Sequence, residues 1–312
     1  MPILVTGSSG YLGEALLRVM GSQGIDATGT DLVPGPFTDA VGTIADPDFV
    51  DEVVRGADSV VHAATLHKPD IKTHSDSQFM STNVAGTLNL LTSAVKHGCK
   101  RFVFTSTTST FGRTLRPPRS EPAAWLTESV RPVPRNIYGV TKVAAEEICE
   151  LFHFRHGLPC LVLRTSRFFP EEDDNSAIRD GYDDLNAKVN ELLYRRVDVS
   201  DAVDAHLLAL ERAESIGFRR YIISATTPFG RDDVRMLRED PGRVVSKYVD
   251  YSAEYEKRGW RLFDDYERVY DNSLARAELD WAPKISFQSA IEQLQRGGSP
   301  FSVLTSRVAS RR

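Results

Sequence analysis

The sequence is short of cysteine, of net positive charge and of long apolar runs, and each shortage excludes a class of protein. Its three cysteines, Cys99, Cys149 and Cys160, stand far apart and without metal-ligand spacing. That excludes a disulfide scaffold and fits buried thiols in a reducing compartment, so a cytoplasmic protein is expected. Acidic residues outnumber basic ones by 43 to 38, a net charge of −5, so no broad positive field exists to hold nucleic acid or an anionic lipid surface. No apolar run approaches the roughly 18 residues of a membrane span, and no cationic start leads into a long apolar stretch, so neither membrane insertion nor secretion is expected. His62, His74, His153, His156 and Asp173 form no spaced ligand group, and no metal is expected. What remains, 41% apolar and 26% charged residues, is the composition of a globular chain with ample material for a core.

Short apolar β-type stretches recur along the chain: Ile3 to Val5, Ala27 to Leu32, Ser59 to Ala63, Arg101 to Thr105, Cys160 to Arg164 and Arg220 to Ile223. Each reads as a buried parallel strand. Helical patterns lie between them, at Asp48 to Arg55, Asn83 to His97, Val140 to His156 and Val203 to Glu214. The alternation predicts an α/β fold, a Rossmann doubly wound parallel sheet with a smaller C-terminal lobe woven in to cover a substrate. The Rossmann domain is expected over 1–168 and 198–226 and the lobe over 169–197 and 227–296. Residues 297–312 lack an apolar pattern and are expected to form a mobile tail.

Gly7-x-x-Gly10-x-x-Gly13 follows the first predicted strand and opens a helix, the context that makes a glycine pattern informative. Glycine permits a tight turn and close approach of backbone to a pyrophosphate, and the amides and dipole of a helix start favour that anion. Tyr11 and Leu12 fall in the same turn. The second strand ends at Asp31, followed by Leu32. A carboxylate there accepts from the ribose hydroxyls of a dinucleotide and repels a 2′-phosphate, and no arginine stands beside it, so NAD is expected over NADP.

Tyr138-x-x-x-Lys142 opens a helical segment, and a spacing of four puts both side chains on one face. An ammonium beside a phenol favours the phenolate, which would let the tyrosine exchange a proton near neutral pH. The strand from Arg101 ends in the hydroxyl run Thr105 to Thr110, on the ligand side of such a sheet.

Together with His62-Ala63-Ala64, Asn83-Val84-x-Gly86-Thr87, Phe111-Gly112, Glu128 and Val199-x-Asp201, these features resemble the extended short-chain dehydrogenase/reductase superfamily, in particular the NAD-dependent epimerase/dehydratase family. The resemblance implies Thr107, Tyr138 and Lys142 as catalytic residues. Tyr138 as phenolate would remove a proton from a substrate hydroxyl while hydride leaves the same carbon, with Thr107 on the reacting oxygen. It also implies Ala63, Ala64, Thr65, Thr105 and Thr165 along the cofactor, with Tyr138 and Lys142, and Ile44 beside the adenine. A homodimer through the helices at Asn83–His97 and Val140–His156 is implied as well.

Departures from the family pattern narrow the expected reaction. Thr108-Ser109 stand where sugar-nucleotide 4,6-dehydratases carry an Asp-Glu pair, which disfavours dehydration. Arg167 stands where the epimerases usually carry asparagine, and the usual loop before Arg195 is missing. Arg167 and Arg195 are suited to a carboxylate or phosphate, unless they pair with the acidic run Glu171 to Asp174. With Thr108 and His67 they are the expected substrate contacts. The expected substrate is a small molecule, a sugar, sugar acid or sugar nucleotide, oxidised at a secondary alcohol by an NAD-dependent epimerase. The alternatives are a net dehydrogenase of a small acidic substrate and a catalytically idle NAD-binding scaffold or redox sensor.

Overall fold

The computed structural model describes residues 2–168 and 175–309; the acidic run at Glu171 to Asp174 lies outside the described residues. Each apolar stretch foreseen as a strand is one. Seven strands, β1 (Ile3–Thr6), β2 (Ala27–Asp31), β3 (Ala40–Val41), β4 (Ser59–His62), β5 (Arg101–Thr107), β7 (Cys160–Thr165) and β8 (Phe218–Ile223), form one sheet in the order β3-β2-β1-β4-β5-β7-β8. The pairings from β3 through β7 are parallel. A further strand, β6 (Ala124–Leu126), pairs in parallel with β9 (Arg268–Tyr270) in a separate two-stranded sheet.

The chain leaves β1 toward β2 and β3 on one side and continues through β4, β5, β7 and β8 on the other. The crevice beyond the carboxyl ends of β1 and β4 is therefore the topological switch point, where ligands of such sheets bind. Helices α1 (Tyr11–Ser22), α2 (Pro47–Val54), α3 (Gly86–Lys96) and α4 (Ile137–His156) connect the strands. Local chemistry sets their ends. The Asp46 carboxylate caps α2 by accepting from Asp48 N at 3.0 Å, with Pro47 in the first turn. The Asn136 side chain accepts from Gly139 N at 2.9 Å to start α4, and Gly157 at φ 69° ends it. A single π-helical turn, Met80–Ala85, runs into α3; such turns commonly sit beside functional sites.

The chain divides into two compact units. The first comprises Met1–Thr110, Pro134–Thr165 and Val203–Tyr221. Its core, including Leu4, Val50, Val60, Leu90, Phe102, Phe104, Cys149 and Val162, is buried between strands and helices. The second comprises Phe111–Val133, Ser166–Ala202 and Ile222–Arg312, and its core is rich in aromatic rings, among them Tyr194, Phe229, Tyr255, Phe263, Tyr266 and Phe287.

The division departs from the boundaries read in the sequence. Residues 111–133 group with the second unit because Ala123 N donates to Val234 O at 2.8 Å, Ala124 N to Glu267 O at 2.9 Å, and β6 pairs with β9. The segment expected as a mobile tail is built into the same unit as far as residue 309. Helix Val303–Ala309 follows Ser302, whose backbone N donates to Asp198 Oδ2 at 3.0 Å and whose hydroxyl reaches Oδ1 at 2.5 Å. Val308 is buried. The anchor is polar, so an apolar-periodicity reading misses it. Among the described residues no helix is long and apolar enough to cross a membrane.

Candidate active site

The glycine turn is packed too tightly for side chains. Gly7 has φ +78°, and a Cβ on it would lie 2.8 Å from Ala64 N; one on Gly13 would lie 2.0 Å from Gly7 O. The backbones after β1 and β4 thus touch, and α1 starts directly beneath. Gly10, its N-cap, has no side chain to cap the helix, so the first-turn amides keep capacity for an anion. At the end of β2 the Asp31 carboxylate accepts from Ser9 N at 2.9 Å through Oδ2 and from Val33 N at 3.1 Å through Oδ1. Two acceptor sites out of about four are used. Leu32 is exposed.

Tyr138 and Lys142 are both buried on the first two turns of α4. The Thr107 hydroxyl eases ionisation of the Tyr138 phenol and accepts from Ser109 N at 3.1 Å. Lys142 Nζ donates to Thr105 O at 2.6 Å and lies 4.1 Å from the centre of the Phe104 ring. Burial, not the neighbouring ammonium, dominates the Tyr138 phenol. Burial pushes the Tyr138 phenol up to about 12, against the opposing pull of Thr107, and burial pushes Lys142 down to about 7, with Glu146 acting the other way. Desolvation is the leading influence on both groups.

The loop after β4 borders this group. Ala63, Ala64, Thr65 and His67 are half-buried, and the His67 ring lies 6.0 Å from that of Tyr138. Burial, with Lys142 adding to it, pushes His67 down to about 4, so the imidazole is neutral at physiological pH. Asn83, in the π turn, holds the loop to α4: its Oδ1 accepts from Leu66 N at 2.8 Å and its Nδ2 donates to Thr141 Oγ1 at 3.1 Å. The Thr105 hydroxyl pairs with His206 Nε2 at 2.8 Å. Thr108 and Thr165 are buried, and Thr165 Oγ1 donates to Leu163 O at 3.2 Å. Ile44 is buried too. Its side chain packs on Gly86, and its carbonyl accepts from Asn89 Nδ2 at 3.0 Å.

In the second unit Arg167 and Arg195 come together through an acid that the sequence reading overlooked. Arg195 Nη2 lies 2.7 Å from Glu191 Oε1, Arg167 Nε 3.9 Å from the same oxygen, and Arg196 Nη2 2.7 Å from Oε2. Arg167 N also donates to Arg195 O at 3.2 Å. Glu191 carried a signal, four residues before Arg195 in a helical stretch, but the acidic run nearer in sequence drew attention from it. Two motif residues are tied into the same unit: Glu128 accepts from Ile222 N at 2.8 Å, and the buried Asp201 from Lys284 N and Ile285 N, both at 2.9 Å.

Comparison with known proteins decides the family. Residues 3–224 match the model of the NAD dependent epimerase/dehydratase family. The chain belongs to that family. A curated relative, dTDP-glucose 4,6-dehydratase from Streptomyces niveus, is 34% identical over 192 residues, 54% of this chain and 55% of the relative; in that match the chain spans about half of the relative's length. UDP-glucose 4-epimerase from Lactobacillus helveticus is 24% identical over 91% of this chain and 92% of its own. Among solved structures, UDP-glucuronic acid 4-epimerase from Bacillus cereus in complex with NAD shares the fold, with a TM-score of 0.66 and 19% identity over 99% of each chain.

As an epimerase/dehydratase-family protein the chain is of an NAD-dependent kind, and its residues fit that cofactor. The Gly7 to Gly13 turn with its side-chain-free helix start suits a pyrophosphate, and Asp31 has acceptor sites left for a ribose diol.

Proposed function

We propose that this protein oxidises a secondary alcohol of a sugar, sugar acid or sugar nucleotide, with NAD taking the hydride, as an epimerase or a dehydrogenase. The observation that carries the reading is the grouping of Thr107 with the Tyr138 phenol, whose ionisation it eases, and Lys142 one turn along the same buried helix face, bonded to Thr105 at the end of the same strand. NAD when bound supplies the hydride acceptor and a positive ring charge. Tyr138 takes the proton of the substrate hydroxyl at its Oη as the carbinol C–H bond gives up its electron pair as hydride and a carbonyl forms. Thr107, as donor, stabilises the phenolate and then the substrate oxygen. Lys142 contributes its charge and a donor beside the cofactor, and the turn at Gly7 to Gly13 binds the pyrophosphate.

Mixing the protein with excess NAD and each of a panel of uronic acids and nucleotide sugars tests the proposal. Accumulating NADH identifies a net dehydrogenase; flat absorbance with a new epimer in the product identifies an epimerase. Neither result across the panel, on protein that binds NAD, rejects the reading. Arg167, Arg195 and Arg196 converge on Glu191, which already answers their charge within the second unit, so uronic acids and nucleotide sugars are equal arms of the panel.

The active form is proposed to be a homodimer. On α4 the exposed Val140, Leu151 and Phe154 (75% exposed) recur three and four turns apart on one face, and Leu88 is exposed on α3. A soluble monomer gains nothing from such a stripe, whereas a twofold partner buries it against its own copy. Gel filtration at micromolar concentration showing a dimer for the native chain and a monomer for Phe154→Glu is expected; a native monomer removes the dimer.

A further inference from the structure

Glu146 lies one turn beyond Lys142 on α4 and is fully buried, yet no step of the proposed reaction uses it. Its Oε1 accepts from the Ser106 hydroxyl at 2.5 Å. Its Oε2 accepts from Arg164 Nη2 at 2.7 Å and Arg220 Nε at 3.3 Å, and Arg164 Nε reaches both oxygens, at 3.2 and 3.1 Å. Carboxylates are seldom buried unless donors and a counter-charge surround them.

Where those donors come from is the informative part. Ser106 and Arg164 are register partners on β5 and β7, and the next register pair is Thr107 with Thr165. Two of the three residues bound to Glu146, Ser106 and Arg164, therefore immediately precede two residues assigned to the site. On α4, Tyr138, Lys142 and Glu146 recur at intervals of one turn, and the last two bond the end of β5: Lys142 to the Thr105 carbonyl, Glu146 to Ser106. Of these two ties only that of Glu146 extends to β7.

We propose that Glu146 is a positioning residue: through Ser106 and Arg164 it holds α4 at one height against β5 and β7, keeping Tyr138 and Lys142 in place relative to Thr107 and the cofactor. The proposal rests on the reading of Lys142 as a cofactor-side cation. The charged and titratable groups that act on Lys142 or feel its charge are Glu146 and Cys149 on its own helix and His62 and His67 from β4 and the loop after it; Tyr138 stands one turn earlier on the helix, and β5 presents the Thr105 carbonyl and the Phe104 ring. Glu146 is the foremost of these in favouring the ammonium, and the two histidines are neutral.

Calorimetric titration of the full chain with NAD, from about pH 6 to about pH 9, tests this in wild type, Glu146→Gln, Glu146→Asp and Lys142→Met. NAD affinity of the wild type falls as pH rises through the ionisation of Lys142. In Glu146→Gln the midpoint moves down by about one pH unit and affinity near neutrality drops about tenfold, one unit being a factor of ten in the protonation equilibrium. Glu146→Asp keeps the midpoint, since the charge remains, but binds NAD several-fold more weakly because the shorter side chain cannot reach both strands. A folded Glu146→Gln with wild-type midpoint and affinity overturns the proposal. Should Glu146→Gln not fold, a Glu146→Asp variant with wild-type affinity overturns it instead. Loss of pH dependence in Lys142→Met confirms the underlying reading independently; its persistence there sinks that reading and the proposal together.

Discussion

Lys142 donates an ammonium proton to the carbonyl oxygen of Thr105 at 2.6 Å, a bond that ties a buried charge to the end of β5. The arrangement is costly: an ordinary lysine releases its proton near 10.5, and burial brings Lys142 down to about 7.

The sign of that cost is measurable. Between about 7 and 10.5 the unfolded chain binds a proton that the folded chain has released, so stability rises with pH through that window. Below it both states are protonated and the full penalty of burying the ammonium is present. Lys142→Met removes the penalty. Thermal scans should find its melting temperature, relative to wild type, highest near about pH 6 and declining toward about pH 10. A difference that stays flat, or grows with pH, would contradict the assignment of a cation to this site.

Thr107 eases ionisation of Tyr138, whose phenol stands at about 12 even with that help. Replacing it by valine keeps the shape and removes the donor. With any panel compound that turns over, Thr107→Val should lower kcat/KM for NAD reduction by about 10²- to 10³-fold, the loss seen when one donor to a developing oxyanion is removed. The rising limb of its pH profile should also move to higher pH, because Tyr138 loses the bond favouring its anion. A rate loss with an unmoved limb would give Thr107 a role in substrate placement only.

Much of this geometry was legible in the sequence, and the reasons are local. Gly7, Gly10 and Gly13 betray a turn because glycine is needed where a Cβ would strike Ala64 N or Gly7 O. Tyr138 and Lys142 betray a shared face through helical periodicity. Glu146 and Glu191 were not read out, since their value depends on partners far away: Ser106 and Arg164 reach Glu146 from β5 and β7, and the strand-end Arg167 joins Arg195 on Glu191. Burial was the other hidden quantity. It pushes the Tyr138 phenol up and Lys142 down, and no spacing rule reports how dry a helix face becomes.

Asp31 makes cofactor choice testable. Its carboxylate holds Ser9 N and Val33 N and keeps acceptor capacity outward, so Asp31→Asn should weaken NAD by about tenfold, the worth of a charge-assisted hydrogen bond or two. Pairing Asp31→Ser with Leu32→Arg should move preference toward NADP, since the repelling carboxylate is gone and a guanidinium replaces an exposed leucine. Calorimetry with both dinucleotides measures this. A native chain that binds NADP as tightly as NAD would remove Asp31 from the adenosine site.

His62 offers a different pH signature, and its tautomer follows from its neighbours. The Thr87 hydroxyl donates to Asn83 O at 2.7 Å, so it can only accept from His62 Nε2, 3.0 Å away. The ring proton is then on Nε2, and Nδ1 accepts from the Thr6 hydroxyl at 2.8 Å, whose oxygen in turn accepts from Ala64 N at 3.1 Å. A second ring proton would face the Thr6 hydroxyl and break the chain that links β1, β4 and the loop at Ala64. Burial holds the imidazole well below its usual 6.5. The unfolded chain therefore takes up a proton below about 6.5 that the folded chain refuses, and stability falls on acidification through that value. His62→Asn, whose amide offers one donor and one acceptor but does not titrate, should melt lower than wild type at neutral pH and lose the acid-side decline that His62 contributes. Parallel melting curves across about pH 5 to 7 would show that the imidazole is not held neutral as this bonding requires.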